Sequence, residues 1–300
     1  MEGYPQRTWW ETLADEISSE TNLARDSFEE LRHIFSWSIR NSGYRTGDLI
    51  LIGGWAVHSF NPWKYSLDID LITSNRFKDS LKGHLYSTRH YSKEKDSIGN
   101  TVFLKSLDSG QIYLDFLPKK DRFHGTDKIL NLKEMECETV TNNISYSFES
   151  VFQVIVPEIS MLLLLKLKAA WDRYYDLSSG TTLNKDHLNE KFIKDCGDIL
   201  ALLQSRSFQF ARFDWLSPII SKFAFLREFM ENGIIEENST LERVSYKDGK
   251  ELIKKTTVSY LTNHFSILSS APRLLCLHLF NVNFTFFLNE MHRALSIHYR

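Results

Sequence analysis

Within residues 21–40, Phe28, Leu31, Phe35 and Ile39 recur at spacings of three and four, a period that predicts one buried face of an amphipathic helix. Asn41-Ser42-Gly43 ends it. Residues 48–52 form a short apolar run before Gly53-Gly54, and in 67–73 the acids Asp68 and Asp70 alternate with Ile69 and Leu71, so both segments are expected as strands. Residues 55–60 between them suit a short helix. Two further β-rich runs, 101–107 and 111–117, flank the hairpin signal Asp108-Ser109-Gly110. A last strand is expected over 151–156, closed by Pro157. After it the pattern turns helical, over 158–175, 189–204 and several segments from Pro218 onward. Residues 176–186, rich in Ser, Thr and Gly, are expected as a connector. The fold class is therefore α+β, with a mixed domain over 1–157 and a mainly helical domain over 158–300.

Three hundred residues, 42% of them hydrophobic and 25% charged, suffice for one large or two ordinary packed domains. A disordered tail protein is excluded. The net charge of -2 supplies no global field to hold a polyanion. Any nucleic-acid contact must be local, and the second half is the more basic, with 18 basic and 16 acidic side chains against 18 and 22 in the first. The three cysteines, Cys137, Cys196 and Cys276, form no CxxC pair and no zinc spacing. With no apolar leader pattern in the first residues and every apolar stretch broken by charge or proline, a cytoplasmic protein without membrane contact is expected.

The sharpest chemical feature is Leu51-Ile52-Gly53-Gly54, then thirteen residues, then Asp68-Ile69-Asp70-Leu71. A spacing of two on a strand puts Asp68 and Asp70 on one face, where adjacent carboxylates repel unless a cation lies between them. Hard oxygen ligands of this kind suit magnesium or manganese. The glycine pair permits a tight turn and a close backbone approach to phosphate. Asp115, in Gln111-Ile112-Tyr113-Leu114-Asp115, offers a third carboxylate on another apolar strand. Three such acids would hold two metal ions and activate a hydroxyl for in-line attack on phosphorus.

Ile52-Gly53-Gly54, Asp68-Ile69-Asp70 and Asp115 together resemble the signature of the DNA-polymerase-β-like nucleotidyltransferase superfamily. Lys64-Tyr65-Ser66 resembles the lead-in of one branch, with Lys64 where that branch has Arg, a point charge in place of a fork. Pro157, Leu164-Leu165-Lys166-Leu167-Lys168-Ala169-Ala170, Arg173, Lys194-Asp195 and Asp198 resemble the AbiEii-like nucleotidyltransferase toxins, a group that includes the MenT-like enzymes. The resemblance spans roughly residues 50–200. It implies a polymerase-β-like palm followed by a helical domain, with Asp68, Asp70 and Asp115 as metal ligands and catalytic residues and Lys166 as a further catalytic residue. Nucleotide contacts are implied for Gly53, Gly54, Lys64, Ser66, Arg173, Lys194 and Asp195. The implied substrates are an NTP and an RNA acceptor, such as a tRNA end, and the implied partner is an antitoxin.

Plainer readings stand beside these. Lys166 would snorkel from a core helix, Arg173 would pair with Asp172 or Asp176, and Lys194 with Asp198. His58, Trp55, Trp63 and Trp171 read as packed side chains. A small-molecule nucleotidyltransferase of the aminoglycoside-modifying kind shares features similar to Gly53-Gly54-Trp55-Ala56, and a non-catalytic protein with the same fold is a third reading.

Overall fold

The computed structural model describes residues 9–95, 101–118, 120–131, 138–146, 151–180 and 184–229. In chain order the elements are α1 (Trp9–Arg40), β1 (Leu49–Ile52), α2 (Gly53–Phe60), β2 (Ile69–Thr73), α3 (Asn75–Ser87) and β3 (Ser92–Lys95). Then come β4 (Thr101–Leu107), β5 (Gly110–Phe116), β6 (Lys120–Arg122), β7 (Ile129–Asn131), β8 (Thr139–Ser145) and β9 (Val151–Pro157). The remainder is helical: α4 (Ile159–Ser179), α5 (Lys185–Gln204), a 3-10 turn (Arg206–Phe210), α6 (Phe213–Ser221) and α7 (Ala224–Glu228).

The chain divides into two compact units, one from residues up to 119 together with 135–158, the other from 120–134 and the chain after 158. A single cut after residue 157 does not anticipate that 120–134 belong to the helical unit. Local packing explains it. Phe123, between β6 and β7, lies 4.7 Å from the Phe223 ring, and Lys168 on α4 reaches Asp121 at 2.6 Å. Gly125 has φ +69, and a Cβ there would meet the Tyr175 ring at 2.0 Å.

The first unit is built on a five-stranded mixed sheet of order β1-β2-β5-β4-β3, in which only the β2–β5 pair is parallel. One face is covered. Ile69, Leu71, Ile112 and Leu114 are buried on it, and Lys105 of β4 reaches Glu30 of α1 at 2.6 Å. Phe28 of α1 packs against Trp55, Tyr146 and Phe152, tying α1, α2 and the β8–β9 ladder together. The α1 stripe runs Ala24, Phe28, Leu31, Phe35, all buried, but Ile39 is 61% exposed, contrary to the expected face. Ser38 takes the next buried position, its hydroxyl donating to the Ile34 carbonyl at 2.8 Å.

The connector expected over 176–186 is shorter than its composition implied, because α4 continues to Ser179 and α5 starts at Lys185. Asn184 supplies the start signal, its side chain accepting from the His187 amide at 3.1 Å. Pro218 lies inside α6 rather than opening a helix. The helical segments expected beyond residue 229 lie outside the described residues. Among the described residues no helix is long and apolar enough to cross a membrane.

Candidate functional site

Parallel pairing of β2 with β5 sets Asp70 directly opposite Asp115. Neighbouring strands lie about 4.8 Å apart, so the two carboxylates project from adjacent backbones. Both residues are half-buried, on the sheet face opposite Ile69, Leu71 and Leu114. Asp68 immediately precedes β2 and is also half-buried. Alternation therefore gives Asp70, Tyr113 and Asp115 one common face, with Asp68 in the bend that leads into β2.

Gly53 borders the same face. It pairs α2 to the end of β1 with φ +70, and a Cβ there would sit 1.9 Å from Asp70 Oδ2. Glycine is thus required twice, by backbone conformation and by the carboxylate lying over its Cα. Gly54 is buried in the first turn of α2, whose cap residue Ile52 offers no side-chain hydrogen bond to the leading amides. The leading amides of a helix have no acceptor within the helix itself.

The segment leading to Asp68 is pinned. His58, buried on α2, sets Nδ1 3.1 Å from the Lys64 carbonyl and Nε2 2.9 Å from the Ser145 carbonyl. Burial pulls its pKa below the ordinary histidine value, outweighing the two carbonyl contacts, which raise it. Ser66 is buried and donates from Oγ to the Asp68 carbonyl at 3.2 Å, so its hydroxyl orients backbone. Tyr65, exposed between Lys64 and Ser66, donates to the Tyr146 carbonyl at 3.0 Å, and the two rings lie 4.5 Å apart. Trp55 is fully buried, its indole donating to Ser27.

In the helical unit, Lys166 of α4 meets Asp195 at 3.2 Å and Asp198 at 2.6 Å on α5. Arg173 pairs with Asp195 on α5, a partner beyond the Asp172 and Asp176 that the plainer reading of the sequence offers. Asp198 accordingly pairs with Lys166 across the two helices, while Lys194 is half-buried. Two cations face two carboxylates, so this cluster carries little surplus charge for a phosphate. A second cluster lies beside it in sequence: His124 Nδ1 is 3.0 Å from Asp176, the His124 amide donates to Asp172, and Lys168 reaches Asp172 at 2.5 Å. Burial pushes the Asp172 carboxyl up, against the pull of Lys168 and His124.

As a donor set, same-face aspartates at strand spacing fit a hard divalent cation and lack the thiolate or imidazole a zinc site would use. Among the described residues, Asp68, Asp70 and Asp115 included, no three His, Cys, Asp or Glu side chains are grouped so as to hold a metal ion. Sequence reasoning passed over Tyr113, although its place two residues before Asp115 on an alternating strand was the available signal. Comparison of the chain with protein-family models and with curated proteins gives no match.

Proposed function

We propose that the protein is a metal-dependent nucleotidyltransferase whose reaction centre is the Asp68, Asp70 and Asp115 face, with a polymerase-β-like palm as its fold. The observation that carries this reading is the register pairing of Asp70 with Asp115, together with a glycine whose missing Cβ leaves room for the Asp70 carboxylate. Magnesium or manganese, when bound, supplies charge neutralisation on the phosphate oxygens and acidifies a hydroxyl.

Asp68 and Asp70 hold the cation and the NTP phosphates with it. Asp115 completes the ligand set and takes the proton of the acceptor hydroxyl. The acceptor oxygen forms its bond to the α-phosphorus, the bond to the β-phosphate oxygen breaks, and pyrophosphate leaves. The amides following Ile52, from Gly53 and Gly54, are oriented toward phosphate oxygens. Lys64 adds a point charge, and Ser66 fixes the backbone that carries Asp68. In the helical unit Lys166 holds Asp195 and Asp198 in place and Arg173 pairs with Asp195, so these charges tie α4 to α5. The acceptor is RNA, with a tRNA end as the first candidate, in a toxin paired with an antitoxin.

Purified protein with magnesium and α-radiolabelled NTPs, offered tRNA and an aminoglycoside in competition, tests the assignment. Label on tRNA supports it. Label on the drug alone moves the protein to small-molecule modification, and label on neither, in the presence of every NTP, supports a non-catalytic role.

A further inference from the structure

Tyr113 stands out on the carboxylate face. Its neighbours along β5, Ile112 and Leu114, are fully buried, yet Tyr113 is 41% exposed on a sheet whose other face is covered. On its own strand it precedes Asp115 by two residues, about 7 Å along the same face. Across the sheet it faces Leu104 of β4, which is half-buried. Its hydroxyl is turned along the strand, donating to Gln111 Oε1 at 3.1 Å. The polar end of the side chain is thereby satisfied, and the ring is what the face presents.

A ring left 41% open to solvent in the middle of a strand, two residues from a carboxylate on the same face, is only part of the packing around it. It is placed to meet what that carboxylate acts on. We propose that Tyr113 is a stacking platform for the terminal base of an unpaired nucleic-acid acceptor. This deepens the nucleotidyltransferase reading and rests on it for the identity of the bound molecule. Two observations select this occupant. Tyr113 shares strand β5 and one face with Asp115, the residue assigned to the acceptor hydroxyl, and β5 lies two strands away from β1, whose end carries the Gly53 and Gly54 turn assigned to phosphates. A base also presents a π face that stacks on phenol whatever its identity, which an amino sugar lacks. Lys105, the nearest cation on β4, points to the opposite face toward Glu30, so stacking and not phosphate attraction supplies the contact at this spot.

The test compares wild type, Tyr113→Phe and Tyr113→Leu. Anisotropy of a fluorescein-labelled single-stranded RNA, with magnesium and without NTP, reads binding directly. Stacking is worth a factor of about ten or more per base, so Tyr113→Leu should weaken binding by about tenfold and Tyr113→Phe by much less. The same RNA ending in an abasic site should bind wild type as weakly as the intact RNA binds Tyr113→Leu, with no further loss in that variant. Equal affinity of wild type and Tyr113→Leu overturns the proposal, as does a wild type that binds no single-stranded RNA. Binding that follows this pattern without any nucleotide transfer would leave the platform standing and count against the catalytic reading alone. Because the ring is exposed, circular dichroism should show all three proteins equally folded.

Discussion

Gly53 lies so close to Asp70 that a Cβ on it would come within 1.9 Å of Asp70 Oδ2. The first glycine of the pair is therefore part of how the carboxylate is held, and not merely a turn. Gly53→Ala must both adopt φ +70, at a cost of about 1–2 kcal/mol, and push Asp70 off its position opposite Asp115. Thermal denaturation should show a modest fall in midpoint, while nucleotide transfer, measured well below that midpoint, should fall far more. A variant with normal transfer would mean that the Asp70 position is unimportant.

Glu30 gives a pH prediction. Burial would raise its pKa, but hydrogen bonds and charge from Arg89 and Lys105 outweigh it and hold the carboxyl below the ordinary glutamate value. Its folded pKa is thus lower than in the unfolded chain, so its stabilisation is complete above the unfolded value and lost as pH falls through the folded one. Glu30→Gln should destabilise the protein by about 2 kcal/mol at neutral pH, the partial exposure of Arg89 and Lys105 reducing the larger cost of a fully buried break. The difference between wild type and variant, followed by urea denaturation, should shrink below pH 4. A constant difference across that range would rule out the charged pairing.

Lys166 was expected from sequence to act on the nucleotide, and its surroundings predict a different phenotype. With Asp195 and Asp198 both against it and its side chain only 9% exposed, Lys166→Ala removes a cation from two buried carboxylates, Asp195 keeping its pair with Arg173. Breaking such a pair from one side costs about 3–5 kcal/mol. Chemical denaturation should report a loss of that size, and the double variant Lys166→Met with Asp198→Leu should recover much of it. A Lys166→Ala protein of normal stability that fails only in transfer would return the lysine to catalysis.

Much of the sheet was legible because its strands alternate: 67–73 and 111–117 carry buried Ile and Leu against half-buried or exposed positions such as Asp70, Gln111 and Asp115, and β2 and β5 fall where those patterns lie. What the pattern could not contain was pairing. That β2 joins β5 in parallel, bringing Asp70 to Asp115, is a long-range choice that no local period encodes. Helix α3 was missed although Ser74 caps it and Phe77, Leu81 and Leu85 repeat every four residues, because Lys78, Asp79, Lys82 and His84 between them masked the stripe. Tertiary ion pairs were equally hidden. Arg173 had two nearer carboxylates in sequence and chose Asp195, because α4 and α5 pack face to face.

Asp115→Asn separates ligand from base. An amide still offers one oxygen to a cation but takes no proton, so kcat should fall while the KM for NTP changes little. Raising the pH should restore part of the rate, since a larger fraction of the acceptor hydroxyl is then already deprotonated and needs no base. A variant whose KM for NTP rises with kcat unchanged would make Asp115 a binding residue only.

The centre of the proposal is that the aspartate face performs metal-dependent transfer, and incorporation of α-radiolabelled nucleotide into RNA by wild type and Asp70→Ala, each with magnesium and with chelator, tests it most directly. Wild type with magnesium should label the RNA, chelator should abolish the labelling, and Asp70→Ala, folded by circular dichroism, should fall by about a hundredfold or more, equivalent to roughly 2.7 kcal/mol in the barrier. Labelling that survives chelator, or that Asp70→Ala supports at the wild-type rate, would contradict it.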